Sequence, residues 1–386
     1  MVVFLATRIP SGLMVWWIGR DQPPYRALAP GEVIRTWRNP ATYWHLIASW
    51  DGQWYQRAAE HGYPSHLTTF HGAVEQNTWA FYPLYPASVR AVMTTGLPFE
   101  IAASLVSLAC GAAAMCLLYR MLMPTCGRFA ATLTVLALCV YPAAVTFQAA
   151  YTESMALLLI LAGLWSLRAR RYGVVLLFAV LLSLTRPVVL PLALVIGVHW
   201  VMRWRRREIE PFPRKEAVVA GLAAVGSALS FLIWPVVAAV VTGRPSAYAD
   251  TRNAWDSAHA QGWPTWLVVF LGGENAGLRI LLVVALATLV AVVARKGAAL
   301  WGLELRTWAW AYPLFLVGAT RPTSSIVRYA MLAAVPWWPV PEIGRAVVSP
   351  GRRVALAALV LLFGLATQYL WIRWFFVITP ASLSFP

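Results

Sequence analysis

The chain alternates long apolar runs with short basic or aromatic stretches. Runs such as Leu157–Leu167 and Leu281–Ala294 are apolar on all sides, without the single apolar stripe of a helix that packs on a water-soluble core. A helix that crosses a bilayer needs roughly 20 apolar residues, fewer where protein shields it. On that measure the runs predict eleven spans, at 1–19, 98–120, 128–149, 152–168, 172–185, 187–203, 216–242, 277–294, 298–318, 326–341 and 354–378. The expected fold class is therefore all-α, a polytopic integral membrane protein. The runs at 172–185 and 187–203 are short and meet at Arg186-Pro187, which predicts a hairpin whose tip stops partway to the outer face. Segments 79–96 and 263–271, between them rich in Trp, Tyr and Pro, read as interfacial or re-entrant pieces. No repeat or low-complexity linker divides the chain, so residues 1–386 are taken as one transmembrane domain, with 20–97 an outer loop carrying interfacial helices.

Composition sharpens this picture. Hydrophobic residues make up 60% of the chain and charged residues only 12%, against about 25% charged in soluble domains. The net charge of +16 gathers in arginines between apolar runs, which favours membrane lipids and positive-inside topology over nucleic acid. The clusters at Arg168–Arg171, Arg203–Lys215, Arg295-Lys296 and Arg345–Arg353 all fall on one side if 172–203 crosses twice. That side is cytoplasmic by the charge rule. It places the N-terminus inside and the loop 20–97 outside; the membrane expected is the plasma (inner) membrane. The first run, with Arg8 and Pro10, lacks a small-residue cleavage site and is read as a retained helix. Arg20, Arg26, Arg35, Arg38 and Arg57 break the charge rule on the outer loop, and an anionic ligand there is the simplest explanation. Only Lys215 and Lys296 are lysines, and so arginine-rich a basic set points to a GC-rich, bacterial source. Cys110, Cys116, Cys126 and Cys139 form no metal or disulfide pattern and are expected to pack as small residues.

Candidate chemistry sits at a few polar points. The aspartates are Asp21, Asp51, Asp250 and Asp256, all on predicted outer loops. Asp51 lies in Ser49-Trp50-Asp51-Gly52-Gln53-Trp54-Tyr55, followed by Arg57 and His61. A short interfacial helix over 44–61 would hold this carboxylate among aromatics, partly out of water, a setting suited to a general base. Asp51 as a simple turn cap before Gly52 remains the plainer role. Glu153, Arg186 and Arg328-Tyr329 punctuate otherwise apolar segments, and ionisable groups at membrane depth commonly mark a site. A helix-dipole charge for Glu153 and snorkelling anchors for the arginines stay open beside that. Under the topology above, all four groups reach the same face, which suits a reaction that expels a lipid-linked phosphate. His45, His61, His66 and His71 crowd the first outer loop in spacings that match no zinc motif, so hydrogen bonding is favoured over a metal. No P-loop, nucleotide fingerprint or G-x-S-x-G is present.

At these residues the chain resembles the PIG-V-type mannosyltransferases, which add the second mannose to the eukaryotic glycosylphosphatidylinositol anchor and have bacterial relatives. The resemblance runs through Trp50-Asp51-Gly52-Gln53-Trp54-Tyr55 with Gly62-Tyr63, and Ala80-Phe81-Tyr82-Pro83-Leu84-Tyr85-Pro86. It continues through Tyr141-Pro142-Ala143-Ala144-Val145, Ala149-Ala150-Tyr151-Thr152-Glu153-Ser154, Thr185-Arg186-Pro187 and Ser325–Tyr329. The chain departs from it at Thr146-Phe147-Gln148 and at Val188.

The resemblance implies a GT-C fold with an extracytoplasmic site, and an inverting transfer of mannose from a polyprenyl-phosphate carrier to a lipid-linked or envelope glycan acceptor. It implies Asp51 as general base. The mechanism expected on that footing has Arg186 and Arg328 holding the departing phosphate. Trp50, Trp54, Tyr55, Arg57, His61, Glu153 and Tyr329 contact or orient substrate, with His66 as a further acceptor-side residue. The outer arginines suit an anionic glycolipid. No cofactor is expected beyond the donor itself, and a divalent metal is not favoured. A different polyprenyl-phosphate sugar remains open as donor. A lipid or sugar-lipid transporter would show a repeat and charges open to both faces. A membrane O-acyltransferase would need a histidine placed for catalysis, whereas His199 falls near the inner end of its span and His259 in an outer loop.

Overall fold

The computed structural model describes residues 1–20, 42–255, 265–267, 276–320, 323, 325–334 and 349–376. Asp21, Arg26, Arg35, Arg38, Asp256, His259, Ser324, Arg345, most of the 263–271 piece and the end of the 326–341 span lie outside the described residues.

The described chain is mostly helical, with a single two-residue hairpin, Thr69–Phe70 against Ala73–Val74. In order come α1 (Val2–Gly19), α2 (Tyr43–Ile47), α3 (Asp51–His61), α4 (Leu84–Met93), α5 (Phe99–Cys139), α6 (Glu153–Arg168), α7 (Tyr172–Ser183), α8 (Val189–Arg205), α9 (Arg214–Leu229), α10 (Ile233–Thr242) and α11 (Ala247–Ala254). Helices Ala276–Ala294, Leu303–Ala319, Ile326–Ala330 and Pro350–Trp371 follow. Among the described residues four helical stretches are long and apolar enough to cross a membrane: Val2–Gly19, Phe99–Cys139, Arg214–Thr242 and Pro350–Phe376. The α7–α8 pair is shorter: α7, at 12 residues, rises about 18 Å, well under a hydrocarbon core of roughly 30 Å.

Two expected elements differ from the structure. The single helix over 44–61 is two, because Trp50 takes φ 56° and ψ −120° and breaks the ladder between α2 and α3. The spans 98–120 and 128–149 are two helices, as expected, parted within α5 where Gly127 leaves helical geometry at φ 81° and ψ 164°. The second stops at Cys139, ten residues short of the expected end. Pro142 explains the stop: it has no N–H to continue the ladder and biases the residue before it away from helix.

Residues 140–151 then cross the interior with no long helix of their own, and nearly all of them are buried. Backbone groups in such a stretch need partners, and side chains from other helices supply them. Ser104 Oγ donates to Gln148 O (2.9 Å) and Ser107 Oγ to Ala149 O (2.7 Å) from α5. The buried Arg8 guanidinium of α1 donates to the carbonyls of Cys139 and Ala144. This braced segment leads directly into Glu153.

Candidate active site

Four elements, far apart in sequence, bring their charged side chains to one point. Asp51 opens α3, and the α2–α3 connection before it lies against the buried segment: the Ala150 N–H donates to Ile47 O (2.8 Å) and the Tyr151 hydroxyl to Ser49 O (3.4 Å). Gly52 permits that approach, since a Cβ there would stand 3.3 Å from the Ala150 methyl. Glu153 is the first residue of α6. Arg186 sits at the α7–α8 tip, a loop tied to α4 by the Leu84 N–H on Leu184 O (2.8 Å). Arg328 lies on the short helix Ile326–Ala330, whose carbonyls accept from the hydroxyls of Tyr141 (to Val327, 2.8 Å) and Tyr312 (to Tyr329, 3.1 Å).

Arg328 Nη1 donates to Asp51 Oδ2 at 2.6 Å and lies 3.2 Å from Glu153 Oε1. Arg186 Nη1 reaches the same Glu153 oxygen at 2.5 Å and also donates to Thr152 Oγ1 at 3.1 Å. Two carboxylates thus meet two guanidiniums, and Glu153 is shared by both. Aromatic faces complete the walls: Arg186 stands 4.9 Å from the Tyr329 ring centroid, and Arg328 stands 4.9 Å from Tyr151 and 5.1 Å from Tyr329. Such contacts suit a cation held out of water. Burial disfavours the charge of Arg186, yet the Glu153 carboxylate more than offsets that and holds its pKa above the ordinary value. Burial, reinforced by the Asp51 charge, keeps the Tyr55 hydroxyl protonated far above its usual range. Tyr55 hydrogen-bonds Thr152 Oγ1 at 3.3 Å and so lines the same cluster.

Exposure of the charged side chains rises from 0% at Glu153 and 4% at Arg328, through 13% at Arg186, to 32% at Asp51. Asp51 is the open edge. Glu153 Oε2 and Arg328 Nε are buried without a hydrogen-bond partner among the described residues, and buried polar atoms in that condition ask for a reason.

The remaining sequence candidates divide into two groups. Trp54, Arg57 and His61 lie farther along α3 and, with Gln76, Asn77 and Thr78, line an open cleft of about 380 Å³. Trp54 stacks on Phe81 (5.8 Å, 6°) and carries the Arg57 guanidinium 4.6 Å over its ring. Trp50 turns elsewhere, its indole N–H on Phe376 O at 3.3 Å. The outer histidines do not converge. His45 closes a capping box with Thr42, His66 bonds Ser65, and His71 lies in the β-hairpin turn at φ 48°. Among the described residues no three His, Cys, Asp or Glu side chains gather in a metal-holding arrangement.

The sequence reading missed Thr152, which links Arg186 to Tyr55, and Tyr151, whose ring faces Arg328. Both are neighbours of Glu153 in a segment already singled out. It also gave no role to Arg8, visible as a lone charge in an apolar run.

No family model matches the chain, and no curated protein matches it; the mannosyltransferase resemblance stands on the segments quoted above. Among solved structures, the chain is similar to the apo oligosaccharyltransferase of Archaeoglobus fulgidus, at 13% identity and a TM-score of 0.49, over 96% of this chain and 55% of that one. It is also similar to the archaeal oligosaccharyltransferase AglB from the same organism in complex with an inhibitory peptide and a dolichol-phosphate, at 13% identity and a TM-score of 0.46, with the same 96% and 55% coverage. The chain spans about half the length of these proteins.

Proposed function

We propose that this chain is a polytopic membrane glycosyltransferase of the GT-C type, with eleven spans and its site at the extracytoplasmic face. On this reading it moves mannose from a polyprenyl-phosphate mannose donor to a lipid-linked or envelope glycan acceptor. One observation carries the proposal: an Arg186–Glu153–Arg328–Asp51 cluster built from four separated segments, with a carboxylate at its open edge. Ion pairs of this depth are costly to assemble, and a site that handles a phosphate and a proton gives them a purpose.

The reaction is a single in-line displacement. An acceptor hydroxyl oxygen attacks the anomeric carbon and gives its proton to Asp51. The bond between that carbon and the phosphate oxygen breaks, and the electron pair leaves with the polyprenyl phosphate. Arg186 and Arg328 stabilise the charge that grows on the leaving group. Glu153 and Tyr329 hold those guanidiniums, and Tyr55, kept protonated, serves as a donor to a sugar oxygen. Trp54, Arg57 and His61 line the acceptor side, where a cationic, aromatic cleft suits an anionic glycolipid. Trp50 fixes the turn that presents Asp51.

The test is transfer of label from radiolabelled polyprenyl-phosphate mannose into total lipid extract, wild type beside Asp51→Asn, with melts to show that both are folded. Label moving with wild type alone supports the reading, and the product identifies the acceptor. Equal transfer by both proteins removes Asp51 as the base. No transfer from mannose or any other sugar carrier overturns the enzyme assignment, and flipping of a labelled polyprenyl lipid would replace it with transport.

A further inference from the structure

The reaction proposed above needs an Asp51 carboxylate free to turn onto the acceptor hydroxyl at the moment of attack. In this structure Asp51 Oδ2 is engaged by Arg328 Nη1 at 2.6 Å. The cluster is also balanced as it stands, with two guanidiniums against two carboxylates. A sugar phosphodiester adds one negative charge, and a buried site accommodates it only if one carboxylate gives up its arginine. The two carboxylates differ in what that release entails. Glu153 is fully buried, and freeing it would strand a charge away from water. Asp51, about one-third exposed, can turn to solvent. Arg328 has the means to move: its Nη1 already lies 3.2 Å from Glu153 Oε1, its Nε is a buried donor with no partner, and Tyr151 and Tyr329 keep aromatic faces beside it.

We propose that Arg328 is a donor-sensing positioning residue, which covers Asp51 in the empty site and uncovers it by transferring to the donor phosphate. The base is then available only when a donor is present, so donor binds before acceptor. An acceptor hydroxyl, or water, that arrives first meets a carboxylate still held by Arg328 through Oδ2. The inference rests on the assignment of Asp51 as base and Arg328 as phosphate ligand.

Carboxylate labelling reads the switch directly. Purified full-length protein is treated with a water-soluble carbodiimide and a small amine, with and without farnesyl phosphate, and Asp51 modification is followed by peptide mass spectrometry. Binding of farnesyl phosphate is measured in parallel by tryptophan fluorescence. The expected result is at least a fivefold rise in Asp51 labelling at saturating farnesyl phosphate, while the fully buried Glu153 stays unlabelled. Arg328→Gln should label at the raised level without the phosphate and show no further increase. Because Arg328→Gln leaves buried Glu153 with one fewer partner and can unfold, Arg328→Lys serves as the second variant, with a partial rise in basal labelling. Saturable binding with unchanged or reduced Asp51 labelling in wild type overturns the switch and leaves the phosphate assignment standing. No binding, or binding as tight in Arg186→Gln and Arg328→Gln as in wild type, overturns the phosphate assignment and the switch together.

Discussion

At the base of the α7–α8 hairpin a second buried polar cluster lies some 15–20 Å along the helices from the tip, and it is built from similar residue types. Glu304 Oε1 meets His199 Nδ1 at 3.0 Å, His199 Nε2 meets the Tyr172 hydroxyl at 3.4 Å, and that hydroxyl donates to Glu216 Oε1 at 3.0 Å. Arg203 donates to Glu216 (3.3 Å), Glu210 (2.7 Å) and the Pro211 carbonyl (2.9 Å). Tyr172, His199, Arg203, Glu216 and Glu304 lie on α7, α8, α9 and Leu303–Ala319, and Glu210 and Pro211 on the α8–α9 loop, so these bonds fasten helices to one another and to that loop. The tip cluster does something else. Its two guanidiniums converge on one oxygen of the fully buried Glu153, and its outermost member, Asp51, is one-third exposed, whereas at the base Arg170 and Arg203 share an oxygen of Glu210, which is 47% exposed. The residue before Asp51 is held at a positive φ. An exposed carboxylate and a residue at positive φ occur at both ends, as Glu210 and its partner Arg170 show at the base; the tip differs in holding two guanidiniums on a carboxylate fully out of water, an arrangement costly to assemble for helix joining alone. The depth of the shared carboxylate, Glu153 at the tip against Glu210 at the base, separates the two.

Glu153→Gln tests that distinction with the largest effect. It removes the partner of two buried guanidiniums, so stability should fall by about 3–5 kcal/mol and transfer by about 10²–10³-fold. Thermal melts and turnover on the same preparation read both. A stable, active Glu153→Gln protein would remove the tip cluster's special status. Asp51→Asn should separate the two quantities: Arg328 keeps Glu153, so the melt stays close to wild type while turnover drops about 10²–10⁴-fold. At the hairpin base the pattern should reverse. Glu304→Gln perturbs a buried bond to His199, lowering stability by about 1–3 kcal/mol. Transfer per folded molecule should stay within about twofold, as expected for distant, uncoupled sites. Loss of transfer without loss of stability in that variant would break the comparison.

How far the sequence foretold these clusters follows from the same contrast. At the tip, Asp51, Glu153, Arg186 and Arg328 each interrupt an apolar or aromatic context, and a charge rule applied to the loops put them on one face. Their pairing was not legible, because Arg328 and Asp51 are 277 positions apart and no local pattern says which arginine meets which acid. At the base, His199, Glu216 and Glu304 sit beside basic loop clusters that mask them as ordinary interfacial charge. The helices were legible wherever apolar runs ended on glycine, proline or arginine. The exception is 140–151, where the run stays apolar while the helix stops, because Arg8, Ser104 and Ser107 replace the helical hydrogen bonds from a distance. Likewise, nothing in the letters around Trp50 reveals its φ of 56°.

That strained residue supplies the smallest and most discriminating effect. The geometry of Trp50, φ 56° and ψ −120°, is one that glycine adopts freely and a bulky residue only at a cost of about 1–3 kcal/mol. Trp50→Gly therefore relieves strain while losing a half-buried indole and its bond to Phe376, and the two changes oppose each other. The melt should move by no more than about 1 kcal/mol in equivalent stability. Turnover should still fall about tenfold with KM little changed, because the indole fixes the turn that aims Asp51, and small misplacements of a reacting group are expensive in rate. A Trp50→Gly protein as fast as wild type would mean that the strain is incidental, and Asp51 would then owe its aim to Gly52 and the Ala150 contact alone. A large loss of stability instead would make the indole a structural plug, and the tip would resemble the base more closely than the depth of Glu153 suggests.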